Sequence, residues 1–151
     1  MTDGLTEEEL AFLHGVFDLA RAGDVGLLSA HVDAGLPVDL TNGAGDTLLL
    51  LAAYHRHADL VLALLERGAD HARVNDRGQT PLAAAVFRQD TEAVRALLEA
   101  GADPGLGRQS AIATATVFEL PAMLSLVTGP AGAGRGAVRG GEEPGSDGPG
   151  P

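Results

Sequence analysis

Two stretches of the chain decide its fold: Gly35-Leu-Pro-Val-Asp-Leu-Thr-Asn-Gly-Ala-Gly-Asp-Thr-Leu-Leu49 and Gly68-Ala-Asp-His-Ala-Arg-Val-Asn-Asp-Arg-Gly-Gln-Thr-Pro-Leu82. Laid one over the other at an offset of 33, they share their first glycine, the Gly45/Gly78 and Thr47/Thr80 pairs, and Asn42 with Asn75, the only two asparagines present. Continued to residues 67 and 100, eleven of 33 positions are identical, where a composition this rich in Ala, Leu and Gly gives about three by chance. Gly101-Ala-Asp103 opens the next copy of Gly68-Ala-Asp70. A fixed period of this length signals stacked repeats.

Each period has one grammar. In 68–100, Thr80 is a hydroxyl N-cap and Pro81 sits at the first helical position, where its missing N–H is no loss. Leu82, Ala85 and Val86 then form an apolar stripe at helical spacing. Asp90-Thr-Glu92 opens a second helix with Val94, Leu97 and Leu98 as its stripe, Gly101 is a left-handed C-cap, and Asp103-Pro-Gly105 turns the chain. In 35–67 the same roles fall to Thr47, Leu49, Ala52 and Ala53, then Asp59, Val61, Leu64, Leu65 and Gly68. One period earlier come Val16, Leu19 and Ala20, then Asp24, Leu27, Leu28 and Val32, capped by Gly35. This first unit begins with a capping box, Thr6 to Glu9, flanked by the hydrophobic staple pair Leu5 and Leu10, so its first helix runs over about 7–21. A fourth unit starts three residues early at Ser110, with Ile112 and Ala115, then Pro121, Met123, Leu124 and Val127. The expected architecture is an all-α solenoid of helix–turn–helix–loop units, about 6–34, 35–67, 68–100 and 101–127, in one domain over 1–127.

Beyond it, nine of the 24 residues of 128–151 are Gly and four are Pro, with no Leu, Ile or aromatic residue. Such a segment cannot bury enough apolar surface to offset its ordering entropy, so it is expected to be a disordered tail. Its Gly-Ala-Gly-Arg-Gly run follows no strand, opens no helix and lacks the lysine of a phosphate loop.

The motifs resemble those of ankyrin repeats. Thr80-Pro81-Leu82 matches the start of that family's Thr-Pro-Leu-His motif, and Gly68-Ala-Asp70 and Gly101-Ala-Asp103 match its Gly-Ala-Asp turn; the resemblance covers about 7–127. The motif's histidine is replaced by Leu50, Ala83 and Ala113, and its proline by Leu48, which implies an array tied less rigidly from turn to turn. The resemblance further implies a protein-binding scaffold and not an enzyme, with the partner held on the concave face of the loop tips and first helices. By position that face carries Gly43, Ala44, Asp46, Tyr54 and His55 from the second unit and Asp76, Arg77, Gln79, Phe87 and Arg88 from the third, flanked by Arg21 and Phe118. The residues themselves point the same way. Tyr54 and Phe87 share a register one position past buried Ala53 and Val86, with Arg88 adjacent, in a chain that is 3% aromatic. Either they are an exposed hot-spot cluster or they pack over the neighbouring repeat; both readings stand at this point.

Composition narrows function further. All ten basic residues are Arg, against 21 acidic ones, for a net charge of -11. Nucleic acids and anionic lipids bind Lys/Arg-rich surfaces, so neither is an expected partner. The charge either keeps a monomer soluble or lets acidic loop tips steer a partner with a basic surface. There is no Cys and no Lys, which removes disulfides, thiolate metal sites, Schiff bases and the Walker loop. His55-Arg-His57-x-Asp59 invites comparison with a metal site; the competing reading is a structural turn histidine, and a small-molecule- or metal-responsive regulator using this turn is the alternative function. His14, His31 and His71 fall at unrelated registers. No Gly-x-Ser-x-Gly or His-Glu-x-x-His occurs, and the carboxylates are taken up as caps, first-turn charges and turn residues. No catalytic residue, metal or cofactor is expected. The acidic N-terminus is unlike a signal peptide, and the longest apolar stretch, Leu48–Ala53, is far below the roughly 20 residues that span a bilayer. With Arg in place of Lys and abundant Ala and Gly, the chain reads as a protein of a bacterial cytoplasm.

Overall fold

The computed structural model describes residues 5–129. Eight helices lie among them: α1 (Glu7–Ala22), α2 (Val25–Asp33), α3 (Leu48–Tyr54), α4 (Ala58–Glu66), α5 (Pro81–Phe87), α6 (Thr91–Glu99), α7 (Ala111–Val117) and α8 (Pro121–Thr128). They form two layers. Helices α1, α3, α5 and α7 pack in sequence as one layer, α2, α4, α6 and α8 as the other, and each unit's pair packs together. The apolar stripes meet in one continuous core running from Val16 and Leu28 through Leu49, Leu64, Leu82 and Leu97 to Met123 and Val127. Full burial of each such leucine stabilises the stack by about 2 kcal/mol. The small residues Ala20, Ala52, Ala53, Ala85 and Ala115 are almost wholly buried between first-layer helices.

Local chemistry sets the boundaries. The Thr6–Glu9 capping box forms in both directions, and the side chains of Asp24, Thr47, Thr80, Asp90 and Ser110 each accept the amide at N3 of the helix they open. Gly35, Gly68 and Gly101 take φ of 119°, 87° and 100°, and the next amides close back on His31, Leu64 and Leu97, the Schellman stop.

Three expectations need correction. Leu27 is 55% exposed; Leu28 alone of that pair turns inward. Helix α4 is opened by His57, not Asp59, and His57 makes no side-chain cap bond. Thr128, expected in the tail, is the last residue of α8; residues 130–151, where the rest of that tail falls, lie outside the described residues, as do 1–4.

The four units are also tied by polar bonds. His57 Nε2 donates to the Arg21 carbonyl (2.7 Å). Arg67 forks onto both oxygens of Asp33 (2.9 and 3.2 Å). The Asp70 amide donates to Asp39 (2.8 Å), Asn75 Nδ2 to Asp46 (2.8 Å), and the Asp76 amide to the Ala44 carbonyl (3.0 Å). Arg88 Nη1 donates to the Tyr54 carbonyl (2.8 Å), and Gln109 donates from its amide to Gly78 (2.9 Å) and from Nε2 to Arg77 (2.8 Å). In every one of these bonds the later unit donates and the earlier unit accepts. The family's turn histidine takes no part in them: Leu50 and Ala83 are buried apolar residues at its position.

The turn between the two helices of each unit repeats one backbone state. Gly23, Arg56, Gln89 and Glu119 all have positive φ, 77°, 65°, 56° and 53°. Only the first is glycine. There a Cβ would stand 2.5 Å from the His57 ring, so the ring's approach to Arg21 requires a residue without a side chain.

Candidate functional site

The chain ends of α3, α5 and α7 bring three rings into a ladder. Tyr54 and Phe87 stack at 6.2 Å with planes 8° apart, and Phe118 meets Phe87 edge-on at 5.1 Å. All three remain well exposed, at 39%, 40% and 55%. The ladder therefore packs from repeat to repeat and faces solvent at once; the two readings of Tyr54 and Phe87 are not exclusive. It edges a cleft of about 450 Å³. Buried Leu50, Leu51, Ala83 and Ala84 form the apolar base of the cleft, and Arg77, Gln79 and Gln109 line it from the loop tips.

Most of the residues expected on this face gather at the cleft: Arg21, Asp46, Tyr54, His55, Arg77, Gln79, Phe87 and Phe118 all line it. Arg88 stands beside it with its guanidinium 5.2 Å from the Tyr54 ring centre. Asp76 is an exposed tip residue whose amide holds the neighbouring tip. Asp46 departs from its expected role as a free contact residue. It is 8% exposed, and its oxygens accept from Asn75 Nδ2 (2.8 Å) and Asn42 Nδ2 (3.5 Å), so it braces the tips. Gln79 shares that duty, accepting from Asn75 through Oε1 (3.0 Å). Nor are the tips acidic, since exposed Asp76 is accompanied by exposed Arg77 and Arg108. Sequence reasoning missed Val117, 71% exposed. The fourth unit's early start moves Val117, not Phe118, into the register of Phe87, a signal present in the 30-residue offset of Ser110 from Thr80.

A family model described as ankyrin repeats, three copies, matches residues 17–107. The chain belongs to the ankyrin repeat family. It is also 48% identical over 65 residues to an ankyrin repeat protein of Pseudomonas aeruginosa; that segment covers 40% of this chain and 38% of the relative, so the match spans well under half of either. Ankyrin repeats generally mediate protein–protein interaction and are typically non-enzymatic.

Charges of both signs surround the ankyrin cleft. Arg21 is paired with Asp18 (2.9 Å), while among the described residues Arg77 and Arg88 have no carboxylate within ion-pair distance. His55 lies edge-on to Tyr54 (5.2 Å) and its ring is 6.5 Å from that of His57. His57 Nε2 is committed to the Arg21 carbonyl, and among the described residues no three His, Asp or Glu side chains converge as a metal-ligand set. Among the same residues, no helix is long and apolar enough to cross a membrane.

Burial first, then His57, Arg88 and Arg21, hold the His55 proton affinity below the ordinary histidine value of 6.5. A base weakened by folding is protonated first in the unfolded chain. Stability is therefore complete above the ordinary value and falls as pH drops through it toward the lowered one. The urea midpoint is expected to be lower at about pH 5.5 than at about pH 7.5, with His55→Gln narrowing the difference. An unchanged difference in that variant removes His55 as its source.

Proposed function

We propose that this ankyrin repeat chain is a non-enzymatic adaptor, a cytoplasmic monomer that holds a partner protein on its concave face through Tyr54, Phe87, Arg88 and the loop tips. The supporting observation is the exposed ladder of Tyr54, Phe87 and Phe118 beside an apolar-based cleft. Large rings held rigidly by their neighbours lose little freedom on binding, the character of interface hot spots. Arg88, fixed by the Tyr54 carbonyl and lying against the Tyr54 ring, adds a preorganised donor fork.

The test is affinity capture from the source cell's lysate with wild type beside Tyr54→Ala/Phe87→Ala, the variant first verified to keep its helical circular dichroism. With two hot spots each contributing about 2 kcal/mol, the captured partner is expected to bind the variant on the order of 100-fold or more weakly. Capture of the same proteins by both, at equal affinity, moves the binding surface off the concave face.

A further inference from the structure

Two arginines at the cleft go unpaired among the described residues although the chain is acidic. The chain as a whole carries 21 carboxylates against ten arginines. Yet the cleft is lined by Arg21 and Arg77 and edged by Arg88, and the one carboxylate lining it, Asp46, is buried with its oxygens held by Asn75 and Asn42. Among the described residues Arg77 and Arg88 are matched by no carboxylate of the chain. Arg88 lies over the Tyr54 ring and Arg77 lines the same cleft as the three exposed rings, so a ligand would meet cation and ring together. From this we propose that the cleft takes a short extended peptide segment of a partner protein, one carrying one or two carboxylates beside an aromatic or branched apolar side chain. The apolar side chain lies on the ring ladder, and a carboxylate accepts from the guanidinium of Arg88 or Arg77, a charge-assisted bond with a fixed donor geometry.

The same charge distribution defines what is refused. A polyanion such as a nucleic acid meets a chain whose net charge is -11 and is repelled over distances comparable to the screening length. A segment with one or two carboxylates reaches the arginines and little else. A basic segment meets Arg21, Arg77 and Arg88. This is opposite in sign to the basic partner that net charge alone suggests. The inference rests on the protein-binding reading above and adds the chemistry of the partner to it.

The experiment selects a phage-displayed random dodecapeptide library on the full chain, in parallel with Arg77→Gln/Arg88→Gln and Tyr54→Ala/Phe87→Ala, each verified to be folded by circular dichroism. The wild-type pool is expected to be enriched in net-negative peptides bearing an aromatic or branched residue. The leading sequence, synthesised with a fluorescent label, is expected to bind about tenfold more weakly when its Glu and Asp are replaced by Gln and Asn, and similarly more weakly to the arginine variant. The peptide replacement uses wild-type protein, so the result does not depend on a variant's folding. A neutral or basic pool that still requires Tyr54 and Phe87 overturns the charge assignment and leaves the protein-binding reading standing. A pool indifferent to all four residues overturns both. Absence of any enriched sequence overturns the proposal of a short linear segment, and lysate capture then judges the broader reading alone.

Discussion

Gly23→Ala is expected to lower the free energy of unfolding by about 2–4 kcal/mol: about 1–2 for a side chain held at a left-handed backbone angle, the rest from displacing the His57 ring. Gly23 has φ 77°, and an added Cβ would stand 2.5 Å from that ring. The ring cannot withdraw freely, because its Nε2 is bonded to the Arg21 carbonyl. Arg56 and Gln89 adopt the same backbone state in the next two units with full side chains, which isolates the clash as the decisive difference. Urea unfolding measures the total. A loss below about 1 kcal/mol means that the ring moves aside at little expense and that the bond to Arg21 does not tie the first unit to the second. Amide exchange should show the loss concentrated in α1 and α2, since stability in a stack is close to a sum of unit and nearest-neighbour contributions.

Asn75→Asp is expected to be nearly as severe, about 3 kcal/mol at neutral pH, and to depend on pH. Asn75 is 5% exposed. Its Oδ1 accepts the amides of Arg77 (3.0 Å) and Gln79 (2.9 Å), and its Nδ2 donates to Asp46 (2.8 Å) and Gln79 (3.0 Å). The substitution leaves both accepted bonds possible but turns the donor into a second carboxylate against Asp46. Two carboxylates at that separation raise each other's proton affinity, so one takes up a proton as pH falls and an O–H donor is restored. The deficit relative to wild type should therefore shrink between about pH 7 and pH 4. Asn75→Ala removes the same bonds without the repulsion and should show no such recovery. If the two variants behave alike across that range, Asp46 does not depend on Asn75 for its burial.

Asn75 also illustrates what could be read from the chain alone. With Asn42 it marks the 33-residue register unambiguously, but its reason for being there is a bond to Asp46 in the preceding unit, and pairing across a turn is not written in any local pattern. Helix openings at Thr47, Thr80, Asp90 and Ser110, and stops at Gly35, Gly68 and Gly101, depend on backbone groups within four residues, so periodicity and capping were enough to find them. Leu27 failed for the opposite reason: a stripe two leucines wide does not say which one the neighbouring helix covers. At the candidate site, register placed Tyr54 and Phe87 together correctly. It could not distinguish a ring that packs from a ring that is exposed, because the geometry allows each to do both. The resemblance placed Asp46 on the concave face by position alone, and position does not show the two asparagine amides that hold its oxygens and allow its burial. The two unpaired arginines at the cleft were invisible in the total of -11, since a sum carries no positions.

The one-way direction of the bonds between units has a consequence for how the stack is assembled. A growing chain exposes its N-terminal units first, and what those units leave open toward the next is a set of oxygens: the carbonyls of Arg21, Ala44, Tyr54, Arg77 and Gly78 and the carboxylates of Asp33, Asp39 and Asp46. Water serves an open carbonyl readily, and native structures leave a buried C=O under-satisfied somewhat more often than a buried N–H. Each unit leaving the ribosome then brings the hydrogens that close the joint behind it. A chain cut short at its C-terminus ends in acceptors open to solvent, while one shortened from its N-terminus begins with donors open to it.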